Sequence, residues 1–174
     1  VPQLERPPQL ERRRLFAAAV WLLTFGCAPV VRIHLVRHAE KERVAPPSRD
    51  PPLSALGARR ARSLATLLDG VSLSACFATE FRRTQATVEP TARAHGLAVE
   101  VVPADDVKGL CARIWARAGQ DVLVAGHSNT VPEIARELGA LETITLGDDD
   151  YGDLFTLETG SWRTSLRRGR FDPA

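Results

Sequence analysis

Two rhythms alternate along this chain: short β-branched apolar runs, and longer stretches with apolar residues every three or four positions. Val31 to Val36 is one such run and ends in Arg37-His38, so it reads as a buried first strand with polar residues at its carboxyl end. A proline-rich loop from Pro46 to Pro52 follows. Ser54 then reads as the N-cap of a helix reaching about Asp69, stopped by Gly70. Leu56, Leu64, Leu67 and Leu68 are expected inward, and Arg59, Arg60 and Arg62 on the wet side. Ala75 to Ala78 makes a second strand, and a helix from about Glu80 to His95 is expected to kink or break at Pro90.

Val99 to Val102 reads as a third strand. Asp105 is the expected cap of a helix whose apolar residues Val107, Leu110, Cys111, Ile114 and Trp115 have helical spacing. Val122 to Ala125 is a fourth strand and again ends in polar chemistry, Gly126-His127-Ser128. Thr130 and Glu133 have capping-box spacing, opening a helix that stops at Gly139. Thr143 to Leu146 and Leu154 to Leu157 read as late strands around the acidic turn Asp148-Asp149-Asp150. Strands alternating with helices imply an α/β fold, a three-layer α/β/α sandwich on a mostly parallel central sheet.

The 174 residues suffice for one domain, and 44% hydrophobic with 25% charged residues is a globular composition. The formal excess of two positive charges is confined to residues 1–27, where Arg6, Arg12, Arg13 and Arg14 face only Glu5 and Glu11. The body is therefore neutral and lacks the basic excess expected of a nucleic-acid binder. Arg12-Arg13-Arg14, the apolar run Leu15 to Gly26, and then Cys27 read as a signal peptide or lipoprotein-type leader. Residues 28–174 are left as the domain. This predicts export in a bacterium, to the periplasm or to a membrane tether through a lipidated Cys27; the alternative is a buried N-terminal helix in a cytoplasmic protein. Cys76 and Cys111 both fall on apolar faces and read as buried free thiols rather than a pair.

Ligands of open α/β sheets bind outside the carboxyl ends of the strands. Three such ends carry unusual residues here: Arg37-His38, Thr79 to Arg83, and His127. Two histidines and two arginines on one edge suit a phosphoryl group, because guanidinium forks bind its oxygens in pairs and a neutral imidazole can attack phosphorus.

Leu35-Val36-Arg37-His38-Ala39-Glu40-Lys41 resembles the Arg-His signature of the histidine phosphatase superfamily, the phosphoglycerate-mutase-like fold. Leu53-Ser54-Ala55-Leu56-Gly57, Thr79 to Thr87, and Gly126 to Thr130 resemble three further motifs of that family in the same order. The resemblance implies that His38 is the nucleophile that becomes phosphohistidine. It further implies that Arg37 and Arg83 bind phosphoryl oxygens and that His127 adds a donor. Arg83 is chosen over Arg82 because the family leaves one variable residue between the hydrophobic residue, here Phe81, and the arginine. Ala39 stands where the family commonly has glycine. The proton donor to the leaving group stays open among Asp105, Asp106, Glu80 and Glu40, and Asp105 also reads as a plain helix cap.

The function expected is a metal-independent phosphomonoesterase without a cofactor, acting on a small phosphorylated substrate. The alternatives are a phosphate-binding module without turnover, or a phosphomutase, against which the compact chain counts. His34, His38, His95 and His127 form no i, i+4 pair on a helix of the kind that would suggest zinc. Asp148 to Asp150 with Asp153 lacks an EF-hand pattern and reads as a solvated turn. Arg163, Arg167, Arg168 and Arg170 read as a wet edge strand rather than a lipid-binding patch, and Trp115 and Trp162 as core or edge packing.

Overall fold

A computed structural model describes residues 30–43, 45–46, 48–160 and 163–173. The leader, Cys27 and Trp162 lie outside the described residues. Ten elements follow in order: β1 Val31–Arg37, α1 Ala55–Leu67, β2 Leu73–Ala78, α2 Arg82–Ala94, β3 Val99–Val101, α3 Val107–Trp115, β4 Asp121–Gly126, α4 Thr130–Glu137, β5 Asp153–Thr159 and β6 Thr164–Arg170. They build one six-stranded sheet in the order β3-β2-β4-β1-β5-β6. β1 to β4 are mutually parallel, whereas β5 runs antiparallel to β1 and β6 antiparallel to β5. The expected α/β sandwich on a mostly parallel sheet is thus present.

Alternation along the central strands sorts their side chains into two cores. Ile33, Leu35, Phe77, Val122 and Val124 pack with Leu110, Ile114, Val131 and Ile134 of α3 and α4. Val36, Cys76, Ala78, Leu123 and Ala125 pack with Leu64 and Leu68 at α1 and with Val88 and Ala92 of α2. Cys76 and Cys111 are both free and buried, as expected, and they belong to opposite cores. Burial pushes their thiols up to about 11 and about 12, which keeps them protonated and inert.

Several expectations need correction. The buried stripe of α1 is Gly57, Arg60, Ala61 and Leu64, with Leu68 at the C-cap, so Leu56 and Leu67 flank it at 39% and 50% exposure. Arg60 is buried instead of wet, because its guanidinium grips the Glu40 carboxylate at 2.7 and 3.0 Å and donates to the Phe171 carbonyl. α2 runs on through Pro90, its buried face of Thr84, Thr87, Val88, Thr91 and Ala92 outweighing the lost hydrogen bond. The cap of α3 is Asp106, one residue later than expected, accepting from the Gly109 N–H. Thr130 makes no capping box: its hydroxyl accepts from the His127 N–H at 2.8 Å, and Asn129 holds the cap position without a side-chain bond. Thr143 to Leu146 is irregular, and β5 takes the place beside β1. Trp115 is 41% exposed at the end of α3. β6 is the exposed edge strand foreseen from its arginines.

Candidate active site

Because β1, β2 and β4 are parallel, their carboxyl ends share one edge, and the residues after them meet there. The His38 N–H donates to the Gly126 carbonyl, and the Ala39 N–H to the Thr87 hydroxyl, both at 2.9 Å. The Glu40 carbonyl accepts from the Ser54 N–H at the start of α1. A side chain at position 57 would strike that carbonyl, which explains the glycine four residues into the Leu53-to-Gly57 motif. Arg60 locks the same stretch through the Glu40 carboxylate. His38 is therefore held by backbone and by α1 on both sides.

His38 is 4% exposed and His127 8% exposed, their ring centroids 5.3 Å apart. The His38 Nδ1 lies 2.8 Å from the Ala39 carbonyl oxygen. A carbonyl only accepts, so the ring proton sits on Nδ1 and the lone pair on Nε2. Burial, with the neighbouring His127, Arg83 and Arg37 charges, holds His38 down at about 3 against the opposing pull of the Ala39 carbonyl. Burial likewise lowers His127 to about 4, assisted by Arg83 and Arg37 and opposed by Glu80. Both imidazoles are neutral at neutral pH.

Arg37 is 7% exposed, donates to the Gly147 carbonyl at 2.6 Å and lies over the Tyr151 ring at 4.3 Å. Arg83 lies over the Phe81 ring at 4.4 Å, and Phe81 in turn meets His127 edge-on at 5.1 Å. Its one carboxylate contact is a long 3.5 Å approach to Asp50. Among the described residues, the Nε groups of both arginines are buried without a hydrogen-bond partner. Unpaired buried donors are costly, and both arginines act on the charge of His38, an arrangement suited to an anion.

The structure thus brings Arg37, His38, Arg83 and His127 to one edge, and it turns Arg83 inward while Arg82 stays exposed. Of the four carboxylates left open, Glu40 is engaged by Arg60 and Asp106 caps α3. Asp105 is exposed, and Glu80 accepts from the Ala104 N–H at 2.8 Å. Sequence reasoning missed Tyr151, whose ring lies 5.9 Å from His38, and the threonines Thr79, Thr84 and Thr87. It also missed Asp50, which accepts from the first N–H of α2. The chain's single tyrosine, placed directly after an acidic turn, was the available signal for the first.

The histidine phosphatase superfamily (branch 1) matches over residues 33–112. No curated protein matches the chain by sequence. Among solved structures, the protein histidine phosphatase SixA complexed with tungstate is similar at 21% identity and a TM-score of 0.66, over 82% of this chain and 97% of that one. A mycobacterial glucosyl-3-phosphoglycerate phosphatase is similar at 15% identity and a TM-score of 0.61, over 83% of this chain and 100% of the other. A phosphoglycerate mutase from Bacillus anthracis is similar at 13% identity and a TM-score of 0.65, over 82% and 93%. The matched segment, the shared fold and the four ordered motifs lead to one conclusion: over residues 33–112 this chain matches the histidine phosphatase superfamily, and its fold is that of solved phosphatases and a phosphoglycerate mutase.

Proposed function

We propose that the protein is a phosphomonoesterase that works through a phosphohistidine on His38. The observation that carries this reading is the Nδ1-to-Ala39 hydrogen bond, which leaves an unprotonated Nε2 on a ring whose charged neighbours include Arg37 and Arg83. Nε2 attacks phosphorus, the bond from phosphorus to the leaving oxygen breaks, and that oxygen takes a proton. Water then attacks the phosphohistidine, and His38 regains its lone pair as inorganic phosphate departs. Arg37 and Arg83 neutralise the phosphoryl oxygens throughout, so no metal or cofactor enters the scheme. Glu80 is the best placed of the open carboxylates to supply the leaving group's proton, since its charge acts on both His127 and Arg83.

His38→Ala should lower turnover of aryl and sugar phosphates at least about a thousandfold while the protein stays folded. Retention of a tenth of the rate would remove His38 from the nucleophile's role. Phosphate binding without turnover in the unaltered protein would favour the binding-module reading. The leader reading adds export and a tether at Cys27 to the proposal; fractionation of the full chain against Cys27→Ser checks it.

A further inference from the structure

Behind His127 lies a short chain of hydroxyls. Thr84 Oγ1 is 2.7 Å from the Phe81 carbonyl and 3.1 Å from the Thr79 carbonyl. It is also 2.8 Å from the Thr79 hydroxyl, which lies 3.0 Å from His127 Nε2. All three side chains are buried. Protons can be assigned along this chain by counting. A hydroxyl has one proton, and an oxygen crowded by two carbonyls must direct its proton at them. The proton between the two threonines is then that of Thr79. With its proton spent, Thr79 offers His127 only a lone pair, so the bond there is donated by His127 Nε2–H. A neutral imidazole has no second proton, and its Nδ1 must hold the lone pair.

We propose that Thr79, oriented by Thr84, is a positioning residue that fixes the proton of His127 on Nε2, so that Nδ1 meets the phosphoryl group as a proton acceptor and becomes a donor only by taking up a proton with it. The inference rests on the phosphatase reading of the site. It changes the part His127 plays: a standing donor would bind a phosphoryl dianion without proton exchange, whereas this one binds dianion and proton together. The charged groups that act on His127 are Arg83 from α2, Arg37 from β1, Lys41 from the loop after β1, and Glu80 after β2. His38 faces it from β1. In the empty site burial and the cations keep Nδ1 free of a proton. An arriving dianion reverses the sign of that field, and the proton from solvent forms the new N–H bond at Nδ1.

The test reads the tautomer directly. Nitrogen-15 spectra of the ring-labelled protein near pH 7, assigned with His127→Gln, should show Nε2 protonated and Nδ1 bare in the unaltered chain and in Thr79→Ser. Thr84→Val releases the Thr79 proton to point at His127, so the spectrum should move toward the Nδ1–H form. Calorimetry with inorganic phosphate in buffers of different ionisation enthalpy, at about pH 8 where phosphate is largely dianionic, should show an uptake approaching one proton. In Thr84→Val the uptake should fall to a small fraction of that. An Nδ1–H tautomer in the unaltered protein would overturn the inference, as would unchanged tautomer and uptake in a folded Thr84→Val. Should that variant not fold, the tautomer of the unaltered chain decides alone. None of these readouts requires turnover, so an inactive protein with the expected tautomer would refute the phosphatase reading and leave this assignment standing.

Discussion

Arginines serve two opposite purposes in this molecule. Elsewhere on the sheet they are matched to carboxylates: Arg168 on β6 holds Asp153 at 2.8 and 3.0 Å, and Arg32 on β1 reaches Glu158 at 3.0 Å and Asp121 at 3.2 Å. At the carboxyl edge of the parallel strands, Arg37 and Arg83 lean mainly on backbone carbonyls and aromatic rings, Arg83 with only a long 3.5 Å approach to Asp50. Hydrogen bonds to carboxylates raise the pKa of Arg32 and Arg168, whereas burial lowers that of Arg83. A guanidinium paired within the fold has its charge and donors spent, and one held by rings and carbonyls keeps both for a ligand. That contrast marks out the candidate site better than the number of arginines does.

The sharpest way to break the comparison is to truncate one arginine of each kind. Arg83→Ala should reduce kcat/KM by about a hundredfold or more, the scale of one lost transition-state donor. Arg82→Ala, its exposed neighbour, should stay within about threefold. A reversed order would mean that the ligand meets the other arginine and that the inward turn of Arg83 is irrelevant. Arg168→Ala should do the opposite: activity per folded molecule unchanged, but stability lower by about 1–2 kcal/mol, as expected for losing a charge-assisted bond to a buried carboxylate. Asp153 is only 2% exposed, and Arg170 at 3.7 Å remains as a partial substitute. Denaturant titration and steady-state kinetics on the same preparations separate the two effects.

A gentler probe is acid. His34, His38 and His127 are all buried, with burial holding each below its ordinary value. The unfolded chain therefore binds their protons first, so stability is full above about pH 6.5 and falls as pH drops through the range toward about 4 and about 3. His38→Ala should flatten part of this slope, and a variant as acid-sensitive as the parent would show that the imidazole is not buried neutral.

Much of this was legible in the chain. The parallel strands announced themselves as β-branched runs, and each of the first, second and fourth handed over to unusual polar residues at the edge where ligands bind. Arg60 was misread because a helical wheel counts arginine as wet, while its partner Glu40 comes from a distant loop. The alternating Thr143 to Leu146 has a strand's pattern, yet a strand also needs pairing, and this segment does not join the sheet. Tyr151 and the Thr79-Thr84 pair were invisible because their roles come from spatial contacts across 113 and 48 positions, those of Arg37 with the Asp150 carbonyl beside Tyr151 and of Thr79 with His127. Sequence patterns report which face a residue takes far better than what it touches there.

On the proposed mechanism, all of the chemistry runs through one nitrogen, His38 Nε2. Rapid mixing with an excess of an activated aryl phosphate, an alkaline quench and peptide mass spectrometry tests it most directly. An acid-labile, alkali-stable phosphoryl group is expected on the peptide containing His38, absent from His38→Ala and discharged by water. Turnover with no phosphoryl group on His38, or one carried by another residue, would contradict it.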